Sequence, residues 1–244
     1  MKENNTRKRR TNSELDETVM REFEELVRQV GFGNVTISAL TSKAAIEANV
    51  FYRRYGTMDY LYDTLSRKYD FWINDTIDLS LFNTLGPRKF FAYTLKTLYR
   101  EFAGNVFMQK LLLWELSEDN ATTRRTSEMR DVMNQNLIKY YELMFRPLNI
   151  NIKSVIATLI SGIYYLVLHR ERAEFCSINF NSPDGEKAFS EAVDAITDLL
   201  FDKLDAYNEK KEIIERMLKD GINKKKICEY LNISNAELKS YSLP

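Results

Sequence analysis

Glycine and proline are scarce in this chain, with 8 and 4 among 244 residues. So few helix breakers, set among abundant Leu, Ile, Lys and Glu, predict an all-α protein with short joints. Strand-type alternation is hard to find, and no internal repeat stands out. Only two cysteines occur, Cys176 and Cys228, far apart and without metal-type spacing. That excludes a disulfide framework and fits a reducing compartment. His169 is the one histidine. It is expected to be a satisfied structural residue, since no second imidazole exists to build a metal site. Net charge is also missing, because 35 Lys and Arg balance 35 Asp and Glu. Any nucleic-acid contact must therefore come from local basic clusters. No apolar run reaches the ~18 residues of a membrane span. The polar start MKENNTRKRRTNSELDET lacks the apolar stretch of a secretory signal. A cytoplasmic protein without a membrane partner is expected. Gly-rich phosphate loops, paired metal ligands and a Gly-x-Ser-x-Gly elbow are all missing, so no enzyme chemistry, cofactor or metal is expected.

What is present is a 44% hydrophobic, 29% charged composition, enough for a sizeable core. Residues 1–13 read as a basic flexible arm carrying Arg7, Arg9 and Arg10, a composition suited to a minor groove. From 14 to 30, Leu15, Val19, Phe23, Leu26, Val27 and Val30 recur at helical spacing, and Gly31 ends the helix. Thr36 is a plausible N-cap for a short helix with Ile37, Leu40 and Ala44. A second short helix follows from about Glu47 to Arg54. Gly56-Thr57 breaks the chain, and Thr57 is expected to cap a helix running roughly from 58 to 78. Two short helices joined by a tight turn after a supporting helix form a helix-turn-helix unit. Ile46, Phe51 and Tyr55 would pack it, leaving Ala48, Asn49, Tyr52 and Arg53 outside, as a groove-reading helix requires.

The segment GFGNVTISALTSKAAIEANVFYRRYGTMDYL (31–61) resembles the DNA-binding domain of the TetR family of transcriptional regulators. Gly31-Phe32, Thr36-Ile37, Leu40, Ala44, Ile46, Phe51-Tyr52, Tyr55 and Leu61 fall at matching positions without a gap. The resemblance covers residues 14–61. It implies DNA contacts by Arg7, Arg9, Arg10, Thr36, Lys43, Glu47, Ala48, Asn49, Tyr52, Arg53 and Thr57. Three residues depart from the family pattern. Ala45 replaces the turn glycine, Glu47 the usual Ser, and Met58 the Lys after the turn. If Ala45 is left-handed, its β-carbon costs about 1 kcal/mol. Glu47 suits the helix dipole yet repels phosphate, and Met58 removes one phosphate contact.

Residues 61–207 are expected to form a helical effector-binding and dimerisation domain. SLFNTLGP (80–87) reads as a joint, with Pro87 in the first turn of a helix running to about Ala103. A long helix is expected from about Thr123 to Phe145. Residues 151–173 are apolar nearly all round, so burial on most sides is expected. A last helix spans about 184–207. The resemblance implies a homodimer through helices about 153–172 and 185–206, and an effector pocket. Phe102, Phe107, Trp114, Tyr141, Tyr165 and His169 are candidates to line it, suiting a largely apolar or aromatic molecule.

The 208–244 extension reads as helix, Gly-Ile-Asn turn, short helix, Asn-Ile-Ser turn and short helix. It resembles the small helix-turn-helix of resolvases, with Lys224, Lys225 and Lys226 opening its middle helix. A helical hairpin covering the second domain fits the same pattern. The whole implies a TetR-type regulator, a repressor released from a pseudo-palindromic double-stranded DNA operator by a small molecule. Two alternatives are a DNA-binding protein of this fold without such an effector, and a helical interaction protein.

Overall fold

The computed structural model describes residues 11–69, 72 and 76–241, with the backbone alone at 133 and 134. Arg7, Arg9 and Arg10 lie outside the described residues. The helices are α1 Asn12–Val30, α2 Ile37–Ala44, α3 Ala48–Tyr55, α4 Met58–Arg67, α5 Leu81–Gly104, α6 Val106–Ser117, α7 Ala121–Phe145, α8 Ile152–His169, α9 Pro183–Lys219, α10 Lys224–Leu231 and α11 Asn235–Tyr241. Among the described residues there is no strand, in keeping with the all-α expectation. Two compact units divide the chain. One comprises the described part of Met1–Thr76 with Arg100–Met133, the other Ile77–Tyr99 with Asn134–Pro244.

In the first unit, α1 begins two residues earlier than the apolar spacing suggests, because Thr11 and Glu14 form a capping box. The Glu14 amide donates to Thr11 Oγ1 at 3.2 Å and the Thr11 amide to Glu14 Oε2 at 2.7 Å. Val19, Phe23, Leu26 and Val27 form its buried face. The turn after Gly31 (φ +81°) drives Phe32 into the interior. There its ring stacks on Trp114 at 4.6 Å and meets the edge of Phe107 at 5.4 Å. The Tyr62 hydroxyl donates to the Phe32 carbonyl at 2.8 Å. α4 is tied to α7 by Arg125, which reaches Asp63 Oδ1 and Ser66 Oγ, each at 2.8 Å. α4 ends at Arg67, while Trp72 and Thr76 beyond it are again helical, so the helix expected to run to about 78 is interrupted at Lys68 and Tyr69. There the Lys68 and Tyr69 amides reach only three residues back, to Leu65 and Ser66, which tightens the last turn. Thr57 stands at the N-cap of α4 but makes no side-chain capping bond, contrary to expectation.

In the second unit, the expected joint at 80–87 narrows to one residue. Residues 81–85 are already helical, and Gly86 (φ +71°, ψ 168°) breaks the helix before Pro87 restarts it. Burial of α8 on most sides is corrected. The chain covers one face through Ile152, Ile156, Ile163 and Val167, and only 22% of the helix is buried. Contrary to the expectation that no apolar stretch reaches the length of a membrane span, α8 at 18 residues is long and apolar enough, by length and composition, to cross one. Ser182 caps α9, and Pro183 supplies its first residue.

Helix α9 does not stop near 207. It runs unbroken for 37 residues to Lys219, because no Gly or Pro intervenes and its apolar face continues into the tail. Four aspartates spaced along one side of α9 receive cations from α5. Arg88 reaches Asp198 at 3.2 Å and Asp202 and Asp205 at 2.7 Å, and Lys96 meets Asp194 at 2.6 Å. At the far end of α9, Ile214 joins Ile227, Ile233, Leu238 and Tyr241 in a small buried cluster.

Gly185, in the first turn of α9, touches the preceding loop so closely that a β-carbon would sit 2.0 Å from the Asn179 carbonyl oxygen. That neighbour is backbone, and the Tyr99 hydroxyl holds the next carbonyl, Phe180, at 3.1 Å. Gly185→Ala is expected to cost about 2 kcal/mol or more by overpacking. Urea unfolding followed by circular dichroism measures this, and an unchanged midpoint would show that the loop yields freely.

Candidate nucleic-acid interface

The helix-turn-helix is built from the turn outwards. Thr36 caps α2, accepting from the Ala39 amide at 3.1 Å. Ala45 adopts the left-handed conformation, φ 52° and ψ 53°. Its amide donates to the Ser42 carbonyl and that of Ile46 to Thr41, closing the helix end. Leu40, Ala44, Phe51 and Tyr55 are buried, which turns α3 so that Ala48, Asn49, Tyr52 and Arg53 face solvent. Ile46, expected in the core, is only half-buried.

One carboxylate sets the position of α3. Asp16 on α1 accepts both Arg54 Nε and a terminal Arg54 nitrogen at 2.5 Å, and the Tyr55 hydroxyl at 2.7 Å. The Arg54 hydrogen bonds hold the Asp16 carboxyl below the usual carboxylate range. Burial, then the bond to Asp16, pushes the Tyr55 hydroxyl upward. The two adjacent arginines thus separate. Arg54 is committed to α1, whereas Arg53 has no ion-pair partner among the described residues and stays exposed.

Thr36, Lys43, Glu47 and Thr57 are exposed around this face. Lys43 lies 4.0 Å from Glu22. Glu47 occupies the N-cap of α3 without a side-chain capping bond. Tyr60, overlooked in the sequence, is 55% exposed at the start of α4 and sits beside Tyr55, ring centroids 6.3 Å apart. Its signal was its place just before buried Leu61. Asp16 was overlooked as well. Its signal was an acid on the face of α1 between Leu15 and Val19.

The effector candidates fall in both units. Phe102, Phe107 and Trp114 are buried in the first, where Phe107 stacks on Tyr69 at 4.0 Å and Phe102 lies 6.2 Å from Trp72. In the second, Tyr141 is buried and donates to the Pro87 carbonyl at 3.0 Å. Tyr165 is half-exposed and stacks on His169 at 5.2 Å. His169 Nδ1 is buried without a hydrogen-bond partner among the described residues, contrary to the expectation of a satisfied imidazole. Two hollows in the first unit, of about 560 and 500 Å³, share Arg28 and Lys68, and none of the six candidates lines either.

A solved structure of a candidate transcriptional regulator of the TetR family from Vibrio parahaemolyticus matches this architecture. The TM-score is 0.52 at 12% identity, covering 73% of this chain and 96% of that one. The chain has the TetR-family fold. No family model and no curated protein matches the sequence. In this fold α2 and α3 form the helix-turn-helix, and Ala45 is the left-handed residue of its turn.

Ala45→Gly is expected to raise stability by up to about 1 kcal/mol. Relief of the β-carbon slightly outweighs the freedom glycine adds to the unfolded chain. Chemical denaturation checks this, and a loss of stability would refute the strain argument. Asp16→Asn is expected to lower Tm at pH 7. The native carboxyl is depressed, so its stabilisation is present above the unfolded value near 4 and fades as pH falls through the lower native value. The Tm difference between wild type and variant should therefore close on the acid side, and a constant difference would contradict it.

Proposed function

We propose that the protein is a TetR-type, DNA-binding transcriptional regulator of the cytoplasm that acts as a homodimer on a pseudo-palindromic operator. The observation that carries this reading is α3. Its inner residues Phe51 and Tyr55 are anchored, and Asp16 fixes its end. Ala48, Asn49, Tyr52 and Arg53 are left exposed on its outer side. Arg53 and Lys43 supply phosphate contacts, the Tyr52 hydroxyl a further one, and Asn49 and Ala48 approach base edges. Thr36 and Thr57 flank the face, and Glu47 selects bases able to donate, such as cytosine.

Dimerisation through helices about 153–172 and 185–206 draws support from α8, an apolar helix mostly uncovered in the single chain. Leu199 on α9 is likewise 69% exposed. Two-fold pairing would bury these surfaces and present two recognition helices to successive major grooves. In this reading the protein is a repressor, and a largely apolar effector releases it by favouring an arrangement that no longer matches half-site spacing. A second reading, regulation without a small molecule, is favoured by the packing of Phe102, Phe107, Trp114 and Tyr141 against neighbouring rings.

Selection of bound sequences from a random duplex pool at two salt concentrations tests the proposal. A pseudo-palindrome lost at high salt is expected. Arg53→Ala should weaken binding and reduce the salt slope by about 0.9, the value of one phosphate contact. Tyr52→Phe should weaken binding with the fold intact by circular dichroism. No enrichment, or unchanged affinity in both variants, would remove α3 from DNA recognition.

A further inference from the structure

The turn between α10 and α11 repeats the turn between α2 and α3 position by position. Both first helices are eight residues long. Each opens on a side chain that accepts from the amide three residues on. Thr36 takes Ala39 at 3.1 Å, and Asn223 takes Lys226 at 3.0 Å. Each ends nine residues after its cap on a left-handed residue, Ala45 at φ 52°, ψ 53° and Asn232 at φ 49°, ψ 51°. The same two hydrogen bonds close both. Ala45 donates to Ser42 and Ile46 to Thr41, while Asn232 donates to Glu229 and Ile233 to Cys228. An isoleucine follows each left-handed residue, and the second helices start at equivalent positions, Ala48 and Asn235. The core positions also coincide. Leu40 pairs with Ile227 before the turn and Phe51 with Leu238 after it, all four buried.

Between 36–54 and 223–241 only Ile46 and Ile233 are identical. The two segments share backbone demands and apolar positions, which is why no repeat stands out in the sequence. The last turns of α9 serve as the supporting helix, with Ile214, Met217 and Leu218 packed on the cluster. Tyr207 secures α11 by stacking on Tyr241 at 4.7 Å and donating to the Ser240 carbonyl at 3.1 Å.

The positions equivalent to Ala48, Asn49, Tyr52 and Arg53 are Asn235, Ala236, Lys239 and Ser240, and all are exposed. Lys224, Lys225 and Lys226 are exposed too, with no ion pair among the described residues. They occupy the first turn of α10, where the helix dipole disfavours cations, so helix stability does not explain them. An anion lying across that turn does. Four lysines against two glutamates between Asn223 and Tyr241 make the segment locally basic in a chain of no net charge.

We propose that Asn223–Tyr241 is a second helix-turn-helix that binds double-stranded DNA. Lys224, Lys225 and Lys226 contact phosphates, and Asn235, Lys239 and Ser240 face the groove. The comparison rests on the reading of α2 and α3 as DNA-binding, but the two sites are tested separately. Full-length protein is titrated with a fluorescein-labelled random-sequence duplex across a range of salt, by anisotropy. The variants are K224E/K225E/K226E, its neutral counterpart K224Q/K225Q/K226Q, and Y52F/R53A.

Both lysine variants are expected to lower the salt slope by about 2 to 3, since each lost phosphate contact removes about 0.9. Circular dichroism should be unchanged, because these side chains are exposed. Y52F/R53A should keep a residual, salt-sensitive binding that the lysine changes abolish. If only Y52F/R53A weakens binding, the tail site is overturned and α3 stands. Weakening by the lysine variants alone leaves the tail site standing and removes α3. If wild type binds no duplex, both fall.

Discussion

Phe32 is the residue on which the first unit depends. A glycine with positive φ turns the chain so that this ring leaves the end of α1 and enters the space between Trp114, Phe107 and Tyr62. Stacked and edge-on aromatic pairs add about 0.5–1.5 kcal/mol each beyond the area they bury. The helix-turn-helix therefore does not stand alone. Its supporting helix α1 and the Phe32 turn share a core with α6, some eighty residues later in the chain. Asp16 then transfers that fixed position to α3 through Arg54 and Tyr55. Rigid contacts of this kind would serve the proposed recognition, because a groove-reading helix must hold its side chains in place before binding.

Much of the N-terminal unit was legible in the sequence, because periodicity and capping act there over a few residues. Val19, Phe23 and Leu26 mark the inner face of α1, Thr36 the start of α2, and Phe51 with Tyr55 the inner face of α3. The exposure of Ala48, Asn49, Tyr52 and Arg53 follows from the same spacing. Partners distant in sequence were not legible. Nothing local distinguishes Arg54 from Arg53, yet one is clamped by an aspartate 38 positions away and the other has no ion pair among the described residues. Thr57 shows the converse. Its residue type suits a cap, but tertiary geometry leaves its hydroxyl unused in that role.

The second unit was harder to read because its helices are marked less by breaks than by partners. Apolar composition on α8 suggested burial all round, whereas the single chain covers only one face. Composition reports what a helix prefers to touch, not whether its own chain supplies it. The end of α9 was misplaced for a related reason. With Asp194, Asp198, Asp202 and Asp205 turned to α5 and Phe201 and Leu204 buried, the pattern past 207 looked like a new element. It is the same helix changing cores, from the body of the unit to the cluster around Ile214.

That change of cores without a change of helix has a mechanical side. A continuous 37-residue helix is a rod about 55 Å long. It has no glycine or proline after Gly185 at which to bend. Arg88 grips it at three aspartates near its middle, which makes that grip a fulcrum. Some fifteen residues of shaft lie beyond the fulcrum, about 20 Å, so a tilt of a few degrees there swings the far end by an ångström or more. A small adjustment between α5 and α9 is thus geared up, not absorbed, by the time it reaches Ile214 and the two short helices beyond.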